Sequence, residues 1–247
     1  MKDDIYDPAF VSDLFDRCSG NYRWWSTVSS FGFIYVWRKQ CVGRLPATHD
    51  SNTIAVDLMA GTGEIWPYLL RRLPDLKTIT ALDISHRMHT EAVERLHGPY
   101  ADKITHLEAD ALQTDLPADY ATFVVSTFGL KTFNPEQQTV LAEQIARILK
   151  PGGHFSIIEA SDPKGWVLRP FYRFYLDRLL PLIERFFLKG AQDFSMIGTY
   201  TRNFSSCDHM ADALRAAGLD MTLKKHFFGC ATSVAGQKPV ARKPDAP

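Results

Sequence analysis

The chain has 247 residues, and its 28 Lys and Arg balance 28 Asp and Glu, so its formal net charge is zero. A protein that holds nucleic acid mainly through phosphates needs a basic surface, so this balance excludes a globally basic nucleic-acid binder. The 45% hydrophobic and 23% charged fractions are typical of an ordinary globular chain that forms one large domain.

The chain begins with a helical pattern and then alternates between strand and helix patterns. Residues 8–44 carry apolar and aromatic side chains at helical spacing and predict an N-terminal helical cap. The alternation that follows predicts an α/β fold with a parallel sheet and helices on both faces. The predicted strands are 53–60, 77–85, 103–110, 121–129 and 154–160, and the predicted helices are 64–73, 86–98 and 135–150.

The regular alternation is interrupted after the fifth strand. Residues 166–190 are almost continuously apolar and aromatic, and we interpret 163–206 as a helical insert that ends in a polar connector over 191–206. A helix over 208–218 and two strand candidates, 220–228 and 229–237, complete a Rossmann-like, seven-stranded, mostly parallel sheet. Residues 1–240 are therefore expected to form one domain, and 241–247 a flexible tail.

Cysteine usage and the chain start bear on metal sites and location. The four cysteines are scattered without C-x-x-C spacing, so we expect neither a zinc site nor a disulfide framework. The first ten residues are acidic and polar where a signal peptide would be basic and then apolar. With no apolar run of about 18 residues, the sequence predicts a cytoplasmic protein.

The segment VDLMAGTGE, residues 56–64, is the strongest functional signal. It predicts a strand, a turn with Gly61 and Gly63, and then a helix whose N-terminus favours a negatively charged ligand group. The third glycine of a dinucleotide fingerprint is replaced by Trp66, which disfavours a nicotinamide site.

Acidic residues stand at the predicted ends of three successive strands. Asp57, Asp83 and Asp110 would line the carboxyl edge of the parallel sheet, where open α/β folds bind ligands. Asp83 follows Gly63 by 20 residues, the spacing at which an acid takes ribose hydroxyls. Three acids in register around a glycine turn favour a nucleoside-bearing cofactor.

These motifs resemble those of class I S-adenosylmethionine-dependent methyltransferases: VDLMAGTGE, ALDIS, EADALQTDLP and ILKPGGHFSIIE. More narrowly, the chain is similar to the ubiquinone/menaquinone C-methyltransferase (UbiE-type) family in WRKQ, in FGLK and in PFYRFYLDRLLPLI. It departs from that family at Lys131-Thr132, where Arg-Asn is usual, and in GTYTRNFSSC, in the C-terminal part of the insert.

The resemblance implies S-adenosylmethionine as the cofactor and a set of contact residues. Glycine-turn backbone would meet the methionine portion, Asp83 the ribose, and Asp110 the adenine edge. The implied cofactor residues are Tyr22, Trp25, Asp57, Ala60, Gly61, Thr62, Gly63, Asp83, Ile84, Met88, Asp110, Ala111, Ser126, Thr127 and Phe128.

The reaction implied by the resemblance is methyl transfer to a small molecule, with C-methylation of a quinol- or phenol-like ring as the first hypothesis. Lys131 is the candidate cation for a phenolate, and Tyr200 and Arg202 are further candidates for contact with the acceptor. Methylation at O, N or S of another metabolite, and an inactive methyltransferase-like scaffold, stay open as alternatives.

Segment 166–189 holds five basic and two acidic residues among its aromatics. Such a segment can act as a lid over the active site, lie on an anionic membrane surface, or form a homodimer contact. The sequence leaves these three interpretations open.

Overall fold

The structure is a computed structural model, and it describes residues 4–95, 101–187 and 196–240. The centre of the fold is a seven-stranded sheet with strand order β3-β2-β1-β4-β5-β7-β6. Strand β7 is antiparallel to both of its neighbours, and the other pairs are parallel. The strands are β1 Ile54–Leu58, β2 Thr78–Asp83, β3 Ile104–Glu108, β4 Ala121–Thr127, β5 Leu149–Ala160, β6 Asp220–His226 and β7 Ala231–Gln237.

Helices cover both faces of this sheet, as predicted. They are α1 Pro8–Ser29, α2 Phe33–Val42, α3 Trp66–Arg72, α4 His86–Arg95, α5 Pro135–Ile148, α6 Arg169–Phe174, α7 Leu180–Phe187, α8 Met196–Phe204 and α9 Asp208–Ala216. A π-helical turn, Tyr175–Leu179, joins α6 to α7. The predicted Rossmann-like architecture is confirmed.

Local sequence explains where the main helices begin. Asp7 caps α1 by accepting hydrogen bonds from the backbone N–H groups of Ala9 and Phe10. Asn134 and Gln137 form a reciprocal capping box at the start of α5, with Pro135 at the first helical position. These caps fix the N-terminal ends of α1 and α5.

The buried side chains form three clusters. One lies between the sheet and helices α5 and α9, and a second lies between the opposite face and helices α2 and α3. The third joins α1 to the region after β5, through Leu14, Cys18, Trp25, Leu180 and Tyr200. The N-terminal cap and the insert therefore form a single roof above the sheet.

The structure corrects the sequence analysis at three places. The polar connector expected over 191–206 contains helix α8, whose Tyr200 is 2% exposed because its ring packs into the roof. Strand β5 begins at Leu149, so the Pro-Gly-Gly segment lies inside a strand rather than between a helix and a strand. Asp57 lies within β1, and Asp110 lies two residues beyond the end of β3.

Some predicted features fall outside the described residues. They are residues 96–98 of the helix predicted over 86–98, residues 188–195 of the predicted insert, and the tail 241–247. Within the described ranges, no helix combines the length and apolar character needed to cross a membrane.

Candidate active site

The glycine turn links β1 to α3 in a conformation that the sequence motif requires. Met59, Gly61 and Gly63 all have positive φ angles, of 53°, 55° and 72°. The N–H of Gly61 donates to Oδ2 of Asp83 at 2.7 Å, which ties the turn to the end of β2. The turn is therefore held rigidly, with its backbone facing the carboxyl edge of the sheet.

Trp66 explains why the third glycine of the fingerprint is absent. Its indole Nε1–H donates to Oδ2 of buried Asp57 at 2.8 Å. A Cβ atom on Gly63 would lie 2.4 Å from the Trp66 ring, so the indole fills the space beside the turn. Burial raises the pKa of Asp57 to about 8, although the Trp66 hydrogen bond works in the opposite direction. Asp57 thus supports the turn through Trp66.

Asp83 is positioned at the end of β2 by two backbone donors. Its Oδ2 accepts from Gly61, and its Oδ1 accepts from the N–H of Ser85 at 2.9 Å. Burial raises the pKa of Asp83, and these backbone hydrogen bonds oppose that rise. Each carboxylate oxygen keeps a lone pair for a further donor, such as a ribose hydroxyl.

A pocket lies above the glycine turn, and we call it the turn cavity. Its floor is formed by the carboxyl ends of β1, β2 and β4, and its roof by one face of α1. Of the predicted cofactor residues, those that line it are Tyr22, Ala60, Gly61, Asp83, Ile84, Met88, Asp110, Ala111, Thr127 and Phe128.

The remaining predicted cofactor residues do not line this cavity: Trp25, Asp57, Thr62, Gly63 and Ser126. Trp25 is fully buried in the roof, and Ser126 is fully buried in β4. Asp57 and Gly63 act through Trp66, as described above. The roles of the fifteen residues toward the cofactor stay predictions.

The sequence analysis missed several lining residues of the turn cavity. Val11 and Phe15 lie on the same face of α1 as the predicted Tyr22, at helical spacing, and that signal was available in the sequence. Arg38 and Glu64 also line the cavity, although 26 residues separate them in the chain. Only the fold reveals that second pair.

A second pocket lies between α2, the segment 166–180 and the β6–β7 turn, and we call it the insert cavity. Its walls are dominated by aromatic and aliphatic side chains, with Lys131 and a few hydroxyl groups as the polar exceptions. The aromatic lining residues are Tyr22, Phe31, Phe33, Trp37, Phe128, Trp166, Phe171, Tyr172, Tyr175 and Phe227. The insert cavity suits a flat apolar ring.

Tyr22 and Phe128 line both cavities. Phe128 has a φ angle of +67° at the end of β4, an uncommon conformation for a residue with a side chain. Burial raises the pKa of the Tyr22 phenol, so its hydroxyl is neutral at physiological pH. These two aromatic residues form the boundary across which a group would pass from one cavity to the other.

Lys131 is a buried lysine held by fixed partners. Its Nζ donates to Oε1 of fully buried Glu159 at 2.9 Å and to the carbonyl of Phe128 at 2.5 Å. The second oxygen of Glu159 accepts from the backbone N–H of Lys131 at 3.1 Å. The ammonium group is therefore positioned at the wall of the insert cavity, next to the boundary residue Phe128.

The structure does not bring the other two predicted catalytic residues to either cavity. The Tyr200 hydroxyl donates to the carbonyl of Ile5 at 2.5 Å, and Arg202 forms an ion pair with Asp177. Thr201, between them, does line the insert cavity. Contact of Tyr200 and Arg202 with an acceptor stays a prediction, and the contacts observed are ones that hold the roof together.

The fold and this pair of adjoining cavities define an α/β methyltransferase. The sequence profile of the ubiE/COQ5 methyltransferase family matches residues 2–238, and the chain belongs to that family. It is 28% identical over 233 residues to demethylmenaquinone methyltransferase of Anoxybacillus flavithermus, covering 94% of this chain and 97% of the relative.

Two further similarities agree with this assignment. The chain is 29% identical over 220 residues to the ubiquinone/menaquinone biosynthesis C-methyltransferase UbiE of Desulfotalea psychrophila, covering 89% and 86% of the two chains. Human N-acetylserotonin methyltransferase has the same fold, with a TM-score of 0.58, 19% identity, and coverage of 90% of this chain and 59% of that one. The predicted enzyme class, a methyltransferase that uses S-adenosylmethionine, is confirmed.

Proposed function

We propose that this enzyme transfers a methyl group from S-adenosylmethionine in the turn cavity to a ring carbon of a quinol-like acceptor in the insert cavity. The observation that carries this proposal is that the two cavities meet at Tyr22 and Phe128. Methyl transfer requires donor and acceptor to meet in line, and two adjoining cavities would allow that alignment.

The residues of the turn cavity fit the cofactor. A Cβ atom at Gly61 would have no protein atom within 4 Å, so the backbone there is bare toward the cavity. We propose that Gly61 backbone meets the methionine portion and that Asp83 accepts from the ribose hydroxyls. Ile84 and Met88 would flank the adenine, with Asp110 at its amino edge. When bound, S-adenosylmethionine supplies an electrophilic methyl group, and its sulfur keeps the electron pair of the bond that breaks.

The acceptor class is supported by the relatives and by the walls of the insert cavity. Relatives along nearly the whole chain are named for demethylmenaquinone and for ubiquinone/menaquinone biosynthesis. An aromatic-lined cavity such as this one buries a flat ring with an apolar substituent.

Lys131 is the proposed catalytic residue. When a ring hydroxyl of the acceptor loses its proton to water, the Lys131 ammonium would stabilise the phenolate oxygen. The electron-rich ring carbon then forms a bond to the methyl carbon while the methyl–sulfur bond breaks. The ring regains aromaticity when that carbon releases its proton to water. Glu159 would hold the ammonium group in place through the ion pair described above.

The test is methyl transfer from labelled S-adenosylmethionine to a 1,4-naphthoquinol that bears no methyl group beside its side chain. We expect a C-methylated product by mass spectrometry and NMR, and transfer only to oxygen, or none, would overturn the proposal. Lys131→Arg should retain measurable turnover, whereas Lys131→Met should lower kcat about 100-fold or more. The double variant Lys131→Met with Glu159→Gln avoids leaving a buried carboxylate unpaired, and it separates catalysis from folding.

We further propose that the insert contacts an anionic membrane surface from which an apolar acceptor enters. Large apolar side chains are exposed around the insert, including Val167, which is 87% exposed. Arg178 and Arg185 are exposed on the same segment. Other exposed apolar residues of this surface include Phe31, Phe171, Phe174, Leu182, Phe186 and Phe228.

Co-sedimentation with phosphatidylserine-containing vesicles tests this contact. We expect binding at low salt that falls when Val167, Phe186 and Phe228 are replaced together by Ser, since none of them lines either cavity. The matched control is Val140→Ser, an exposed apolar residue on α5. Equal binding by the triple variant and the control would contradict the membrane contact. The molecular mass of the same proteins without vesicles, measured by light scattering, would test the predicted homodimer.

A further inference from the structure

One carboxylate beside the glycine turn is shared by three arginines. Glu64 lies 3.3 Å from Arg38 Nη2, 3.3 Å from Arg95 Nη1 and 3.7 Å from Arg23 Nε. The hydroxyl of Thr62 also donates to this carboxylate. The carboxylate of Glu64 therefore ties the glycine turn to the three helices that carry these arginines, α1, α2 and α4.

Arg38 is the arginine of this cluster that reaches the turn cavity. Its side chain is 3% exposed, whereas those of Arg95 and Arg23 are 23% and 58% exposed and do not line that cavity. Within the described part of the chain, the buried Nε of Arg38 has no hydrogen-bond partner. A buried charged donor without a partner is costly, so this arrangement favours an anion in the cavity.

The two other acids beside the turn, Asp57 and Asp83, form their hydrogen bonds with groups other than Arg38. Oδ2 of Asp57 accepts from the Trp66 indole, and burial raises the pKa of Asp57 to about 8. The oxygens of Asp83 accept from Gly61 and Ser85. The guanidinium carbon of Arg38 lies 5.6 Å from the centroid of Phe128, which fixes the group at the boundary of the two cavities.

We propose that Arg38 binds the α-carboxylate of S-adenosylmethionine, an inference that rests on the proposed function. Arginine pairs with carboxylates through two parallel hydrogen bonds, and the unpartnered Nε supplies one of them. Arg38 stands beside Phe128 and lines the same cavity as Gly61. A carboxylate held there anchors the amino-acid end of the cofactor and directs its sulfur toward the insert cavity. Arg38 is thus a binding and positioning residue.

Calorimetry with two ligands isolates this contact. S-adenosylhomocysteine carries the carboxylate, and its decarboxylated form, S-adenosyl-3-thiopropylamine, lacks only that group. We expect the wild-type protein to bind S-adenosylhomocysteine about 10- to 100-fold more tightly than the decarboxylated form. In R38Q that preference should fall to about twofold or less, while affinity for the decarboxylated form stays close to wild type. R38K should keep an intermediate preference, because it keeps the charge and loses the planar fork.

The matched control is R23Q, which removes the exposed arginine from the same carboxylate and should keep the full preference. A wild-type protein that binds both ligands equally would overturn the inference without any variant. So would an R38Q protein that keeps the full preference, or one that weakens both ligands equally. A wild-type protein that binds neither ligand would instead refute the cofactor site of the proposed function, and the inference with it.

Discussion

Replacing Asp57 by asparagine tests whether the acid beneath the glycine turn is neutral in the folded protein. Asp57 is 1% exposed, and its Oδ2 accepts a hydrogen bond from the indole of Trp66. An asparagine carbonyl can accept the same bond, so Asp57→Asn preserves the contact and removes only the titration. The variant therefore reports the protonation state rather than the packing.

The expected pH dependence of the free energy of unfolding follows from the pKa of Asp57. Burial raises this pKa to about 8 from an unfolded value near 3.9. Between those values the folded state holds a proton that the unfolded state has released. The free energy of unfolding therefore loses up to about 1.4 kcal/mol per pH unit as pH rises from about 5 to 7. The asparagine side chain has no proton to lose in this range. The free energy of unfolding of the variant should therefore rise relative to that of the wild type by the same amount per pH unit.

Urea unfolding at pH 5, 6, 7 and 8, followed by far-ultraviolet circular dichroism, measures this difference. Subtracting the two proteins cancels the contributions of His106, His154 and His226, whose pKa values burial lowers. Asp212→Asn, at a surface carboxylate paired with Arg215, is the matched control for the same substitution away from the site. A constant difference between Asp57→Asn and wild type across this range would show that Asp57 is ionised in the folded state.

Three further predictions concern the same site. Gly63→Ala should lower the thermal midpoint clearly more than Gly61→Ala, because its Cβ would meet the Trp66 ring whereas a Cβ at Gly61 faces open space; equal midpoints would contradict that packing. Asp83→Asn should weaken S-adenosylhomocysteine binding at least about tenfold by calorimetry and should also lower the unfolding midpoint, because the amide has one acceptor oxygen where Asp83 accepts from two backbone N–H groups. Tyr200→Phe should cost about 1 kcal/mol of unfolding free energy through its lost bond to Ile5, and kcat should stay unchanged; a large fall in kcat would support direct contact with the acceptor.

Local sequence patterns were sufficient for the framework of the fold and for the floor of the site. The alternation of strand and helix periods predicted the sheet through β5, and glycines followed by an acid at the next strand end predicted the turn cavity. These features depend on residues that are near neighbours in the chain or lie at corresponding ends of parallel strands. Gly61 and Asp83 were therefore placed together before the structure showed their 2.7 Å hydrogen bond.

The roof of the site was decided by tertiary packing. Helix α8 lies in a segment that is polar enough to predict a connector, and it is helical because Tyr200 packs against α1. The Tyr175 hydroxyl donates to the carbonyl of Ser29, 146 residues away, and no periodicity encodes such a contact. Tertiary context also converted Lys131 from a loop lysine into the buried partner of Glu159.

What the sequence by itself determined is a parallel α/β sheet with a nucleoside-binding edge, because strand period, turn chemistry and acid placement are all local. Only the tertiary structure decided which side chains cover that edge of the sheet. Arg38 and Glu64 meet at the turn cavity because α2 packs beside α3. Tyr22 on α1 and Phe128 after β4 line the same two cavities, although 106 residues separate them in the chain. Burial and the approach of distant segments set these contacts, and they depend on the whole chain at once.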